Sequence, residues 1–200
     1  MKEKIIQKAS NMFITLGFKS VTMDDIASEI GISKKTIYAH FKTKTSLVKE
    51  TTKYMFETVD TGINSICSLE KDPIEEIFEI KYFLMEILKD EKSSPLFQLK
   101  KYYPAISNNL HKKKFELMIS CTLNNLKRGI NLGIYRPNLD INFVSRIYFV
   151  GINGIKNDTF FPSQDFPKSQ VHEEYLEYHL RGIVTPKGLK TLNKFIKTNE

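Results

Sequence analysis

Between residues 33 and 44 the chain carries Ser33, Lys34, Lys35, Thr36, Tyr38, His40 and Lys44 without a single carboxylate among them. Ammoniums, hydroxyls and an imidazole at this density are donors matched to phosphate oxygens and to base edges, and an intervening acid would repel both. Catalysis would need a different pattern, a nucleophile paired with a base or a His/Cys/carboxylate set at ligand spacing. His111, His172 and His179 are scattered. His172 and His179, seven apart, can share a helix face, which reads as a solvated or interface face. Cys67 and Cys121 lie in apolar helical contexts without CxxC spacing and read as reduced core thiols. Gly151 and Gly154 fall inside an apolar helix, where they permit close packing rather than cradle a phosphate. The expectation is therefore no enzyme, no cofactor and no metal. A small helical enzyme using Cys121 or His179 would lack any paired base.

Charge points the same way. The chain has 200 residues and a net charge of +7. Residues 1–50 hold nine lysines against Glu3, Asp24, Asp25, Glu29 and Glu50, which places +4 of that excess in one quarter of the length. An electrostatic footprint for phosphates is thus concentrated at the N-terminal end. Lys2, Lys4 and Lys8 read as a solvated face. The stretch MKEKIIQKASNMF reads as an amphipathic helix rather than a signal peptide, and Ile147–Ile155 is far too short to span a bilayer. A cytoplasmic protein with no membrane partner is expected.

Positioning that strip requires helices, and the apolar residues recur at helical spacing almost throughout, so the fold class is all-α. Ile5, Ile6, Ala9, Phe13 and Leu16 form one stripe that ends at Gly17. Thr22 caps the next helix with Asp25 three residues on, Ile26, Ala27 and Ile30 give its buried face, and Gly31 stops it. Ser33 caps a third helix over about residues 34–41, anchored by Ile37 and Phe41. Thr43 caps a fourth, running into the middle sixties. A sharp turn between two short helices, the second with a free polar face, is the requirement of a helix-turn-helix.

The stretch Thr22-Met-Asp-Asp-Ile-Ala-Ser-Glu-Ile-Gly-Ile-Ser-Lys-Lys-Thr-Ile-Tyr-Ala-His-Phe-Lys-Thr-Lys-Thr-Ser-Leu47 resembles the DNA-binding domain of the tetracycline-repressor-like (TetR) family. Ala9, Phe13 and Gly17-Phe18 resemble that family's first helix, and the likeness is specific over about residues 4–48. Thr45 departs from it, since the family often has an acid there. The resemblance implies that Lys34, Lys35 and Ala39 face base edges, and that Thr36, Tyr38 and His40 contact the backbone or adjoining bases. It implies that Lys44 binds phosphate and that Thr22 touches phosphate through its hydroxyl or backbone N–H. Ser33 joins the set as the cap of the reading helix. The bland alternatives remain a cap alone for Thr22, partial core packing for Tyr38 and an ordinary surface histidine for His40.

The domain division expected is 1–47 for DNA binding and 48–200 for effector binding and dimerisation. Helices are expected from Asp72-Pro73 to about Lys89, around Leu96–Tyr102, over Ala105–Arg128, Asp140–Asn157 and Gln170–Val184, and over Lys187–Lys197. Glu91–Pro95, Gly129–Pro137 and Pro162–Pro167 read as connectors. The aromatic and Met-rich faces of this region are mostly core. The resemblance further implies a small-molecule pocket between central helices, with Tyr82, Tyr102, Phe115 and Met118 as candidates. It also implies a two-fold four-helix interface, with Ile147, Val150, Gly151, Gly154, Tyr175, Tyr178 and Leu180 as candidates. The function so implied is a homodimeric regulator, more often a repressor, that binds palindromic double-stranded operator DNA and is released by a small, largely apolar effector. The alternative is an architectural or partner-recruiting DNA-bound protein without an effector.

Overall fold

The computed structural model describes residues 1–87 and 93–197. Among the described residues there are ten helices and no strand: α1 Lys2–Leu16, α2 Met23–Ile30, α3 Lys34–His40, α4 Lys44–Cys67, α5 Pro73–Ile87, α6 Ser93–Tyr102, α7 Pro104–Asn131, α8 Ile141–Gly154, α9 Lys168–Ile183 and α10 Pro186–Lys197. The all-α expectation holds. The expected end of the fifth helix at Lys89 and the start of the connector at Glu91 lie outside the described residues. None of the described helices is long and apolar enough to cross a membrane.

The chain packs as two units, one of Met1–Ser65 with Tyr82–Lys114, the other of Ile66–Lys81 with Phe115–Glu200. The first has a core of Ile5, Ala9, Phe13, Phe18, Val21, Met23, Ile26, Ala27, Ile37, Phe41, Leu47 and Val48, joined by Leu99 from α6. Each of these large aliphatic side chains contributes roughly 1.5–3 kcal/mol on leaving water, and together they lock three short helices that would not persist alone. Phe13 stacks on Phe18 across the Gly17 turn, with ring centroids 5.0 Å apart. Gly17 has φ +97, and the space a Cβ would take there is filled by the Gln98 side chain. Gln98 Oε1 in turn accepts the Lys19 backbone N–H at 2.8 Å.

In the second unit the core is built from Ile74, Phe78, Leu126, Ile134, Tyr135, Val144, Leu176, Leu180, Ile183 and Leu192. A buried polar chain runs through it. Arg128 pairs with Glu76 at 2.8 Å, Asn125 Nδ2 donates to Glu76 Oε1 and to the Pro73 carbonyl, both at 2.8 Å, and the Tyr135 hydroxyl donates to Asn125 Oδ1 at 2.9 Å. Burial holds that Tyr135 hydroxyl firmly protonated, its pKa raised well above the ordinary phenol value.

The expected turn over Gly129–Pro137 starts later than its composition implies. α7 continues to Asn131, and Gly133, with φ +68, makes the turn. Gly129 lies within that helix, and its missing Cβ leaves the room that the Tyr135 ring fills. An isolated antiparallel bridge, Tyr135 to Val184, then ties this turn to the α9–α10 junction.

Candidate nucleic-acid interface

The strip of donors is held by local capping. Thr22 Oγ1 accepts the Asp25 N–H at 3.1 Å and Asp25 Oδ2 accepts the Thr22 N–H at 2.8 Å, a complete capping box. Hydrogen bonds to the carboxylate from the Thr22 backbone N–H and then from the Thr22 side chain pull the Asp25 carboxyl below its ordinary range. Both the N–H and the hydroxyl of Thr22 are thus turned toward Asp25. α2 ends at Gly31 in the left-handed region with φ +75, where Gly31 and Ile32 return N–H groups to Ser28 and Ala27. Ser33 Oγ then accepts the Thr36 N–H at 3.1 Å and lies 2.9 Å from Thr36 Oγ1, which starts α3 and fixes the Thr36 rotamer.

Ile37 and Phe41 are buried in the first unit's core and pin α3 from beneath. Their spacing leaves Lys34, Lys35, Tyr38, Ala39 and His40 exposed and Thr36 half-buried. Tyr38 is 40% exposed, a large aromatic side chain left partly in water. Lys34 differs from the free donor its sequence position suggests. Its Nζ sits 2.8 Å from Asp24 Oδ2, and that bond, with the charge of Asp24, raises the lysine pKa. Sequence reading missed the pair because the ten-residue separation crosses the turn.

Lys44 stands at the first turn of α4, half-buried, with Nζ donating to the Lys19 carbonyl at 3.0 Å and lying 6.0 Å from the Phe13 ring. Burial lowers its pKa, opposed by the nearby Asp25 charge. A partly desolvated ammonium with only one carbonyl in hydrogen-bond contact gains more from an incoming phosphate than a fully hydrated one would.

The remaining candidates are distributed between the two units. Tyr82 and Tyr102, 43% and 39% exposed, belong to the first. Tyr102 has Lys19 over its ring at 4.7 Å and Lys101 at 5.6 Å. Phe115 and Met118 belong to the second and are half-buried, Phe115 lying edge-on to Phe149 at 5.0 Å with Arg146 at 5.6 Å. The second unit also bears an open groove of about 330 Å³ lined by Arg181, Val184, Thr185, Pro186 and Leu189.

Of the interface candidates, Ile147, Val150 and Tyr178 are exposed at 45%, 60% and 78%. Gly151 and Tyr175 meet each other within the chain, the Tyr175 hydroxyl filling the space beside Gly151, whereas Gly154 has open space around it. Leu180 needs correction: it is fully buried in the second unit's core, so its side chain is unavailable to a partner surface. Phe143, 64% exposed, was missed, although its spacing to Ile147 and Val150 at i, i+4 and i+7 marks one helix stripe.

Cys67 and Cys121 are half-buried thiols outside any disulfide that share a hydrogen bond, and burial pushes the Cys67 thiol up, away from the reactive thiolate. Burial also lowers His179 to about 4. Among the described residues no group of three or more His, Cys, Asp or Glu side chains could hold a metal ion.

A capped helix-turn-helix with an acid-free reading helix, followed by a larger helical region, defines a DNA-binding transcription regulator. Residues 5–51 match the family described as "Bacterial regulatory proteins, tetR family". The HTH-type transcriptional repressor KstR2 of Mycolicibacterium smegmatis is 26% identical over 199 residues, covering 94% of this chain and 93% of its own. The biofilm operon icaADBC negative transcriptional regulator IcaR of Staphylococcus aureus (strain Newman) is 32% identical over 90 residues, covering 45% of this chain and 47% of its own. A transcriptional regulator from Saccharomonospora viridis, solved in complex with choline, superposes with a TM-score of 0.73 at 18% identity over 92% of this chain and 97% of that one. Residues 5–51 thus match the DNA-binding region of the TetR family, and over most of its length the chain is similar to a transcriptional repressor.

Proposed function

We propose that this protein is a cytoplasmic repressor that binds a palindromic operator as a homodimer and leaves it when a small, largely apolar effector binds within residues 48–200. The observation that carries the DNA reading is the exposed, acid-free face of α3 beside the half-buried Lys44 ammonium. In this reading Lys34, Lys35 and Ala39 meet base edges, Thr36, Tyr38 and His40 contact the backbone and adjoining bases, and Ser33 caps the reading helix. Thr22, through its hydroxyl or backbone N–H, and Lys44 hold phosphates. Residues 1–47 are the reading head.

Dimerisation is supported by the exposed stripe Phe143, Ile147 and Val150 on α8 and by Tyr178 on α9. Large apolar side chains left in water on two helices are what a second copy would cover, and two-fold pairing matches a palindrome. The effector reading draws on the half-buried Phe115 and Met118 of the second unit and, separately, on Tyr82 of the first. That this fold can hold a small molecule is supported by the Saccharomonospora viridis structure, solved with choline. The repressor sense follows the names of the KstR2 and IcaR relatives.

The test is a thermal-shift screen of apolar small molecules, followed by DNA-release titration with each stabilising compound. A binder that raises Tm by mass action should weaken DNA affinity roughly 5–150-fold, the usual range for coupled sites. Saturating binders that leave DNA affinity unchanged would refute release by an effector.

A further inference from the structure

Outside the helix-turn-helix, the first unit gathers cations around one aromatic ring. Lys19 Nζ lies 4.7 Å from the centroid of the Tyr102 ring and Lys101 Nζ lies 5.6 Å from it, with Lys101 also 5.8 Å from the ring of Phe97. Lys19, Lys101 and Tyr102 are all exposed. No carboxylate among the described residues pairs with Lys19 or Lys101, whereas Lys8 and Lys34 in the same unit each hold an acid. Two ammoniums over one ring repel each other, and the ring's face offsets only part of that. A bridging anion would convert the repulsion into attraction. Hydrogen bonding from Lys19 pulls the Tyr102 hydroxyl below the ordinary phenol range, with Lys101 adding to it, so both lysines act on the same side chain.

The cluster is also placed. Lys19 stands in the turn between α1 and α2, three residues before Thr22, and its carbonyl accepts Lys44 Nζ at 3.0 Å. α6, which brings Lys101 and Tyr102, is fixed to this turn twice. Leu99 is buried in the first unit's core, and Gln98 fills the Gly17 hollow while accepting the Lys19 N–H. A helix docked that firmly presents its lysine at a set distance from the reading head.

We propose that Lys19, Lys101 and Tyr102 form a phosphate-binding site that extends the DNA footprint beyond the helix-turn-helix onto α6. The occupant is a backbone phosphodiester of the bound duplex, beside the one held by Lys44. The proposal rests on the DNA-binding reading above and adds to it a contact from outside residues 1–47. It also gives Tyr102 a polar task in place of a wall in an effector pocket.

Because backbone contacts are sequence-independent, the probe is a fluorescently labelled duplex of random sequence, titrated by anisotropy over a range of salt concentrations. Each lost phosphate contact should lower the slope of log K against log salt by about one. Lys101→Ala and Lys19→Ala are each expected to do so, and Tyr102→Phe, which keeps the ring, to weaken binding about tenfold through the lost hydroxyl bond. Lys127→Ala, an equal change of net charge in the second unit, should leave the slope as it is. Circular dichroism melts confirm that each variant is folded.

If Lys44→Ala lowers the slope while Lys101→Ala does not, the α6 site is overturned and the DNA-binding reading stands. An equal fall with Lys127→Ala would overturn it as a general charge effect. Wild-type protein without salt-dependent binding would overturn both.

Discussion

Lys34 and Asp24 hold each other across the turn of the reading head, Nζ to Oδ2 at 2.8 Å, with both side chains more than half exposed. The pair ties a lysine proposed to meet base edges to the preceding helix. Its exchange for a DNA contact is easy at an exposed site, where ion pairs are weak and screened by salt. Asp24→Asn removes the competing carboxylate and is expected to tighten binding to any duplex and steepen its salt dependence. Anisotropy titration checks this; weaker binding would show that Asp24 positions Lys34 instead of restraining it.

Lys44→Ala should weaken binding by a similar factor on every sequence and lower the salt slope by about one, as loss of one phosphate contact does. Thr22→Val keeps the side chain's shape and removes both the cap and the hydroxyl hydrogen. It should cost ~1 kcal/mol of stability in addition to DNA affinity. Melting curves and titrations on the same samples separate the two effects.

The α8 stripe supports a prediction with a built-in control. Val150→Asp places a charge in the proposed interface and should shift the protein from dimer to monomer in analytical ultracentrifugation, with little change in helicity. Leu180→Ala should act differently: as a side chain of the internal core it should lower stability by about 2–5 kcal/mol. A monomeric, fully stable Leu180→Ala protein would contradict its placement.

Burial among Tyr148 and Tyr175 depresses His179 to about 4. The folded state binds the proton less readily than the unfolded chain, whose histidine titrates near ~6.5. Stability from this group is therefore complete above about 6.5 and is lost as pH falls toward 4, up to ~3 kcal/mol by linkage. Tyr175 moves the other way, its phenol raised to about 12 by burial, and stays neutral throughout that window. Urea melts of wild type and His179→Gln between pH 7 and 4 should differ in slope. Parallel pH profiles would place the acid sensitivity elsewhere.

What the sequence discloses and what it hides divide along range. Thr22 with Asp25, Gly31, Ser33 with Thr36 and Asp140 act within four residues of themselves, so caps and turns are readable from residue type and spacing. The contacts that position α6 are long-range: Gln98 in the Gly17 hollow and Leu99 in the core of the reading head have no local signature. Gly129 reads as a turn by type, yet lies in α7, where its missing side chain admits a tyrosine ring six residues on. On α9, Leu180 and Tyr178 are equally apolar on paper, and only packing sends one inward and the other out. The tie of Lys34 to Asp24 is hidden for the same reason, since it forms only once the turn has brought two helices together.

The central claim, that α3 reads operator DNA in a two-fold assembly, is tested most directly by selecting duplexes from a random-sequence library with purified protein. Enrichment of a palindrome of two half-sites is expected, with Lys35→Ala changing the preferred bases within each half-site and leaving their spacing intact. Enrichment of no sequence, or of the same half-site by both proteins, would contradict it.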